Sequence, residues 1–295
     1  MTPHDFLADQ FQGHRPRLQA VAYRMLGSLS EAEDAVQEAW LRLARSDARD
    51  IDNLGGWLTT VVGRVCLDML RARRSRREES LEERLPDPVI SHADATDPER
   101  EVLLVDSVGL ALLVVLESLT PAERLAFVLH DMFGMPFEQI APIVDRTPTA
   151  AKKLASRARL RVRGATPSPD PDLSSQRRVV DAFLAAARDG DLAALVSVLN
   201  PDVTLRADGG TLTGGMQVVR GAAAVAGRLA TFQRMATSAT THPALVNGLA
   251  GLVNTIDDEL ISVMSFTVSD GRIATIDILS DPDRLAQLDL THLEP

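Results

Sequence analysis

Apolar residues recur at helical spacing through most of the first 165 residues. Stripes run over residues 18–26, 32–43 and 54–75, with polar residues between them. Spacings of three and four positions place such residues on one face of a helix, so the pattern predicts amphipathic helices. Ser30 precedes a run of acids and is expected to cap the second of these helices.

A further helix start stands at Thr120-Pro121-Ala122-Glu123, after renewed helical periodicity over residues 99–119. Thr120 and Glu123 match a capping box, Pro121 suits the first turn, and Gly134 is expected to end the helix.

A short apolar segment over residues 136–144, a turn at residues 145–147 and a basic helix from Pro148 to Arg163 come next. This order predicts a helix-turn-helix. Leu154 and Leu160 of the basic helix are expected to face the core.

The pattern changes after a Pro-rich stretch. Helices are predicted over residues 176–188, 192–199 and 221–235, and strands over residues 203–207, 250–256, 260–268 and 272–279. Asp270-Gly271 joins the last two strands as a hairpin. Helices followed by a meander of strands indicate an α+β domain with one curved sheet.

The chain of 295 residues is therefore expected to be multidomain, with two all-α domains before an α+β domain. The expected boundaries are a helical bundle at 1–78, an acidic Pro-containing linker at 79–104, a helix-turn-helix domain at 105–164, a Pro-rich linker at 165–174 and the α+β domain at 175–295.

The composition indicates a cytoplasmic protein without a membrane span. No apolar run reaches the roughly 18 residues of a transmembrane helix, and the N-terminus lacks the basic region of a secretory signal. The single cysteine, Cys66, lies between Val65 and Leu67 and is expected to be a core residue.

Charge is distributed unevenly along the chain. The net charge is −10, but residues 1–77 carry +2, residues 78–106 carry −8, residues 107–169 carry +3 and residues 170–295 carry −7. Positive charge is concentrated in two helical clusters, Arg71, Arg73, Arg74, Arg76 and Arg77, and Lys152, Lys153, Arg157, Arg159, Arg161 and Arg163. Such clusters are typical of phosphate-binding surfaces, so the sequence predicts two DNA contacts.

The motifs resemble those of a known family. Residues 22–27 (AYRMLG), 31–38 (EAEDAVQE) and 57–71 are similar to region two of extracytoplasmic-function sigma factors. Residues 119–124 (LTPAER), 137–141 (FEQIA) and 155–159 (ASRAR) resemble sigma region four.

The tail resembles that of a subgroup with a C-terminal SnoaL-like cone, an α+β fold that stands in place of a separate anti-sigma protein. That subgroup carries W-L-P-E-P-L, D-G-G-G-K and N-P-D-K-L motifs. The corresponding stretches here are residues 84–89 (RLPDPV), 208–212 (DGGTL) and 281–285 (DPDRL), each of which departs from the pattern.

The resemblance implies a sigma factor that directs core RNA polymerase to promoter DNA and is not itself an enzyme, with no cofactor or metal. The partners implied are the β′ clamp and β flap of the polymerase and the promoter. Acids on the second helix are expected to bind the polymerase: Glu33, Asp34 and Glu38.

The expected DNA contacts fall in two groups. Region two is expected to hold the minus-ten strand through Asn53, Trp57, Thr60, Arg64, Arg71, Arg73 and Arg74. Region four is expected to hold the minus-thirty-five duplex through Thr147, Thr149, Lys152, Lys153, Ser156 and Arg157.

The resemblance also implies that the tail regulates the sigma domains through contacts with the linker. Pro86 and Pro88 favour extended backbone and would present Leu85 and Val89 as an apolar pair. The expected regulatory contacts are Leu85, Pro86, Asp87, Pro88, Asp208, Gly209, Gly210, Asp281, Pro282, Asp283, Arg284 and Leu285.

Two alternatives remain open at this point. The chain could be a ligand-sensing transcription regulator that binds DNA without polymerase, since the sequence does not say whether the cone holds a small molecule. It could also be an enzyme with a DNA-binding front, for which Asp208 and His242 are the candidate acid–base residues.

Overall fold

Three long helices form the first part of the chain: α1 (Pro3–Leu26), α2 (Leu29–Arg45) and α3 (Leu54–Arg77). The computed structural model describes residues 3–46, 51–77, 84–92, 109–165, 167–210, 215–235 and 239–288. Cys66 lies in the core of this bundle, where burial raises the pKa of its thiol to about 12. It is a core residue, as predicted.

The cap of α2 differs from the prediction. Ser28, not Ser30, is the N-cap, and its hydroxyl accepts from the Glu31 amide. Gly27, at φ +70°, ends α1, so the two helices are joined by a tight turn that places the start of α2 two residues earlier. A glycine suits this left-handed position because it has no Cβ.

The helix-turn-helix part begins with α4 (Leu110–Glu117) and α5 (Pro121–Phe127), which continues as a π-helix over Val128–Met132. The recognition pair is α6 (Phe137–Ile140) and α7 (Pro148–Ala165). The capping box is confirmed: the Thr120 hydroxyl accepts from the Glu123 amide at 3.4 Å, and the Thr120 amide donates to the Glu123 carboxylate at 3.1 Å.

The buried face of α7 corrects one prediction. Leu160 is 71% exposed, whereas Ala151, Ala155 and Ala158 are fully buried and Leu154 is half-buried. Small alanine side chains let α7 approach α5 closely, and this leaves Leu160 outside the contact.

The described residues form two compact units. The first contains residues 3–46, 51–77 and 113–165, and the second contains residues 84–92, 109–112 and the described residues from 167 onwards. The stretch 84–92, expected to be linker, is thus part of the C-terminal unit.

The C-terminal unit is an α+β fold, as predicted. Its helices are α8 (Leu173–Asp189), α9 (Leu192–Val198), α10 (Ala222–Met235) and the short α11 (Pro282–Leu285). Its strands are β1 (Ile90–His92), β2 (Leu199–Asp208), β3 (Met216–Arg220), β4 (Thr240–Val246), β5 (Leu249–Ile256), β6 (Glu259–Ser269) and β7 (Arg272–Leu279).

These strands form one mixed sheet in the order β1-β4-β5-β6-β7-β2-β3. Only the β2–β7 pair is parallel among the described strands. Register shifts in the β2–β7, β5–β6 and β6–β7 pairs mark irregularities that bend a sheet. The Asp270-Gly271 hairpin between β6 and β7 is confirmed.

The sheet buries side chains on both faces. The helices cover a cluster that includes Phe183, Leu252 and Phe266. A second cluster lies on the other face, where Ile90 of β1 and Leu285 of α11 pack with Val246 and Leu279. The linker strand and the last helix therefore complete the fold of the tail.

Within the described ranges, no helix has the length and apolar character needed to cross a bilayer.

Candidate functional site

The basic helix α7 exposes the residues expected to contact duplex DNA. Thr149, Lys152, Lys153, Ser156 and Arg157 are all exposed, opposite the buried alanine face. Within the described ranges, Lys152, Lys153 and Arg157 form no ion pair. Their charge is available to phosphates, and the positive end of the helix dipole lies at the same terminus.

Two other basic residues of α7 form ion pairs with acids of the same unit. The Arg159 guanidinium lies 2.6 Å from the Asp131 carboxylate, and that of Arg161 lies 2.9 Å from Glu123. Thr147 caps the helix, since its hydroxyl accepts from the Ala150 amide at 3.3 Å. These contacts fix the position of α7 relative to α5.

Asn53 begins the face of α3 that is predicted to bind single-stranded DNA, and it has a structural role in the helix. The Asn53 side chain accepts from the Gly56 amide at 3.0 Å and so caps the helix. Thr60 donates to the Gly56 carbonyl at 2.9 Å, and Trp57 is half-buried. Arg64 is exposed and donates to the Pro142 carbonyl at 3.5 Å.

The arginines at the end of α3 differ in their surroundings. Arg73 is half-buried, pairs with Glu31 and donates to the Leu26 carbonyl at 3.1 Å. Arg71 lies 3.6 Å from Asp68, and Arg74 is exposed. The side chains of Arg76 and Arg77 lie outside the described residues.

Contacts between region two and region four were not anticipated from the sequence. Arg124 of α5 is buried and its Nε donates to the Arg24 carbonyl at 3.2 Å. Arg24 also lies over the Phe133 ring, 5.1 Å from its centroid, and Arg17 donates to the Phe133 carbonyl at 3.0 Å. These contacts join α1 to the helix-turn-helix part, and the Arg64 contact joins it to the side of α3 that is predicted to face DNA.

The acids expected to bind polymerase lie on α2. Asp34 and Glu33 are exposed, and Glu38 is half-buried. Glu33 pairs with Arg15 and Glu38 with Arg42, each at 2.9 Å. Both pairs are partly solvated, so they would contribute little to stability and could exchange for a basic partner.

The predicted regulatory residues meet in the C-terminal unit. Arg284 of α11 donates to the Asp208 carboxylate at 2.8 Å, to Asp87 at 2.5 Å and to the Leu85 carbonyl at 2.6 Å. The Leu85 amide in turn donates to Asp208 at 2.9 Å. We call this cluster of Leu85, Asp87, Asp208 and Arg284 the latch.

Residues of the latch and their neighbours are buried both in the linker and in the tail. Leu85 is 2% exposed and Asp208 is 1% exposed, and Pro86, Pro88 and Leu285 are also buried. Apolar burial thus surrounds the charged groups and strengthens their attraction, since little water reaches them.

The turn that carries Asp208 depends on its glycine. The Gly210 backbone has φ +67°, and a Cβ there would lie 2.5 Å from the Asp281 carboxylate. The Asp281 side chain also accepts from the Asp283 amide at 3.0 Å, which starts α11. Gly209 is buried and Pro282 takes the first turn of α11. The two tail motifs therefore lie side by side.

Asn247 is a linker-binding residue that sequence reasoning missed. The Asn247 side-chain oxygen accepts from the Val89 backbone amide at 3.1 Å, and the Asn247 backbone amide donates to the Val89 carbonyl at 2.8 Å. Three residue pairs then join β1 to β4. The Asn247-Gly248 turn, at positive φ in both residues, is a hairpin signal that the sequence did offer.

The two candidate acid–base residues are not brought together. Asp208 is engaged in the latch, whereas the His242 ring is exposed and lies 3.3 Å from the Thr255 hydroxyl. Within the described ranges, no cluster of His, Cys, Asp and Glu has the arrangement of a metal site.

Comparisons with known proteins agree with this layout. Residues 10–76 match the family model of sigma-70 region 2, and residues 109–162 match that of sigma-70 region 4. The ECF RNA polymerase sigma factor SigJ of Mycobacterium tuberculosis is 39% identical over 288 residues, which cover 93% of this chain and 92% of SigJ.

A probable ECF RNA polymerase sigma factor of the same species, SigI, is 34% identical over 288 residues, which cover 98% of each chain. The crystal structure of M. tuberculosis SigJ superposes with a TM-score of 0.76 at 34% identity, over 96% of this chain and all of that one.

Arg284→Gln should release the linker from the tail. Losing a buried ionic partner costs about 3 kcal/mol, so hydrogen exchange at the Leu85 amide should accelerate about a hundredfold. Mass-spectrometric hydrogen exchange measures this. Arg220→Gln removes an exposed arginine of β3 as a control, and unchanged protection of Leu85 in Arg284→Gln would contradict the latch.

Proposed function

The chain belongs to the family of extracytoplasmic-function RNA polymerase sigma factors, and we propose that its linker-to-tail latch regulates its activity. As a member of that family it acts with core RNA polymerase in promoter recognition and transcription initiation. It is a transcription initiation factor and not an enzyme, which removes the enzyme alternative. The alternative of a regulator acting without polymerase is likewise not supported.

The division of labour at the promoter is part of the proposal. Region two would hold the minus-ten strand through α3, and region four the minus-thirty-five duplex through α7. Lys152, Lys153 and Arg157 are exposed and have no ion-pair partner among the described residues, which supports the second assignment.

The docking surfaces on the polymerase are also proposed. Asp34, Glu33 and Glu38 would bind the basic β′ clamp, and region four would bind the β flap. Because these events take place at the chromosome, the proposed site of action is the bacterial cytoplasm.

The observation that carries the regulatory proposal is the latch itself. Arg284 ties the stretch before region four to the tail through Asp87, Asp208 and Leu85. The tail would thereby restrain the two DNA-binding parts without a separate anti-sigma protein. Burial of Arg24 and Arg124 between those parts supports a closed form, in which region two and region four are packed on each other and would separate to engage the promoter.

Removing residues 281–295 should raise promoter activity, because it deletes Arg284 and Leu285 while keeping the rest of the tail. Run-off transcription with purified core polymerase, on a promoter selected from a randomised template library, measures this. Removing everything after Gly164 is not expected to raise activity further, and would lower it if the tail also contacts polymerase.

A chain ending at Leu288 retains the latch and is the matched control. Equal activity of the full chain, this control and the two shorter chains would rule out regulation by the tail.

Replacing Lys152, Lys153 and Arg157 with Ala should weaken duplex binding and flatten its dependence on salt. Each lost phosphate contact lowers the slope of log affinity against log salt by about 0.9, so the change should be about 2 to 3. Fluorescence anisotropy of holoenzyme on promoter DNA across a salt series measures it. As a control, replacing Arg178, Arg220 and Arg272 with Ala removes the same charge from the tail. An equal change of the salt slope in this control would show that α7 is not part of the DNA interface.

Asp34→Arg with Glu38→Arg should abolish binding to core polymerase, since two attractive charges become repulsive to a basic surface. Because neither side chain is part of the core, the helical circular dichroism should be preserved. Asp9→Arg with Asp202→Arg changes two exposed acids elsewhere as a control. Normal holoenzyme assembly by the α2 variant would show that the docking surface lies elsewhere.

A further inference from the structure

The C-terminal unit contains a cavity of about 580 Å³ between helices α8 and α10 and the sheet. Its walls are mainly apolar and include Phe183, Leu229, Leu252, Met264 and Ile278. Pockets for drug-sized molecules have volumes of roughly 300–1,000 Å³ and walls of this kind. The cavity therefore has the size and surface of a small-molecule site.

A row of polar side chains crosses one wall, on three adjacent strands. The Thr241 hydroxyl donates to the Asn254 carbonyl oxygen at 2.8 Å, and the Asn254 amide donates to the Ser262 hydroxyl at 2.9 Å. This leaves the second Asn254 amide hydrogen and the Ser262 hydroxyl hydrogen as donors. Both suit a ligand that presents an acceptor oxygen.

The charge at the opening is positive. The titratable residues among the described lining residues are Arg188, Asp189 and Arg228, all exposed. Arg228 donates to the Gln217 side-chain oxygen, a neutral partner, and pairs with no carboxylate in the described part of the chain. An anionic group is thus favoured at the opening.

The same lining residues argue against chemistry in the cavity. The candidate acid–base residues do not line it: Asp208 is held in the latch, and His242 lies beside Thr255. General acid or base catalysis needs such a group within hydrogen-bond reach of the ligand. Asp189 is the carboxylate among the described lining residues, and it is exposed to solvent. The cavity is suited to binding.

We propose that this cavity binds an amphipathic monocarboxylate, with its apolar body among Leu229, Leu252 and Met264. Its carboxylate accepts hydrogen bonds from Asn254 and Ser262, and Arg228 supplies positive charge at the opening. Ala207 and Ser280 also line the cavity and lie on either side of Asp208, since the Ser280 amide donates to the Asp208 carbonyl at 2.8 Å. The ligand would thus contact the residues that support the latch.

Isothermal titration of the full-length chain with dodecanoate, dodecanol and dodecylamine, each below its micelle concentration, tests the site. We expect saturable binding of one dodecanoate per chain, about two- to fivefold tighter than dodecanol because a partly solvated charge pair adds modestly. Dodecylamine should bind more weakly than either.

Variants locate the site. Met264→Trp fills the cavity and should remove binding of all three probes, whereas Val218→Trp, on the exposed edge strand β3, should leave it unchanged. Arg228→Gln removes the positive charge at the opening and should lower the affinity for dodecanoate to that of dodecanol. It keeps the test valid if Met264→Trp fails to fold by circular dichroism.

Absence of saturable dodecanoate binding, equal affinities for dodecanoate and dodecanol in the unmodified chain, or unchanged binding by a folded Met264→Trp would each overturn the proposal. The readout is independent of transcription, so its failure would leave the sigma-factor function and the latch as they stand.

Discussion

The guanidinium of Arg284 lies between two carboxylates, 2.8 Å from Asp208 and 2.5 Å from Asp87, and also donates to the Leu85 carbonyl. A charge buried in this way needs all its partners, because removal of one leaves another charge in a poorly hydrated site. The position of the linker on the tail depends on this group. With the linker in place, β1 extends the sheet beyond β4 and Ile90 covers its second face.

The docking of residues 84–92 restricts the connection between region two and region four, because that stretch no longer serves as free chain. In the helical unit, region four packs against α1, where Arg124 and Phe133 contact Arg24. It also contacts α3, where Arg64 donates to the Pro142 carbonyl. These two restraints support a common interpretation, in which a sigma factor is kept from its promoter by its own linker and tail. The proposed ligand cavity lies beside the same strands and offers a route by which a small molecule could act on the latch.

Much of this was predictable from the sequence where the signal is local. Helical periodicity, the Thr120 capping box and the Asp270-Gly271 hairpin depend on neighbours in the chain, and the structure confirms them. The exposure of Leu160 was not predictable, because alanines elsewhere on α7 determine which face is buried.

The short strand β1 was not predictable either, since its partner β4 lies more than 150 residues away and Pro243 obscures the strand pattern there. The latch residues were predicted from their resemblance to motifs of the family and not from periodicity. Their regulatory role remains a proposal.

Run-off transcription by the Arg284→Gln variant shows whether the latch regulates the sigma domains, because this variant changes one side chain and keeps the whole tail. Core polymerase is supplied with the unmodified chain, Arg284→Gln or the control Arg220→Gln, on the same selected promoter. If the latch restrains the sigma domains, the yield of transcript should be higher with Arg284→Gln than with the other two proteins, which should match each other. Equal yields from all three proteins, with the linker shown by hydrogen exchange to be released in Arg284→Gln, would contradict it.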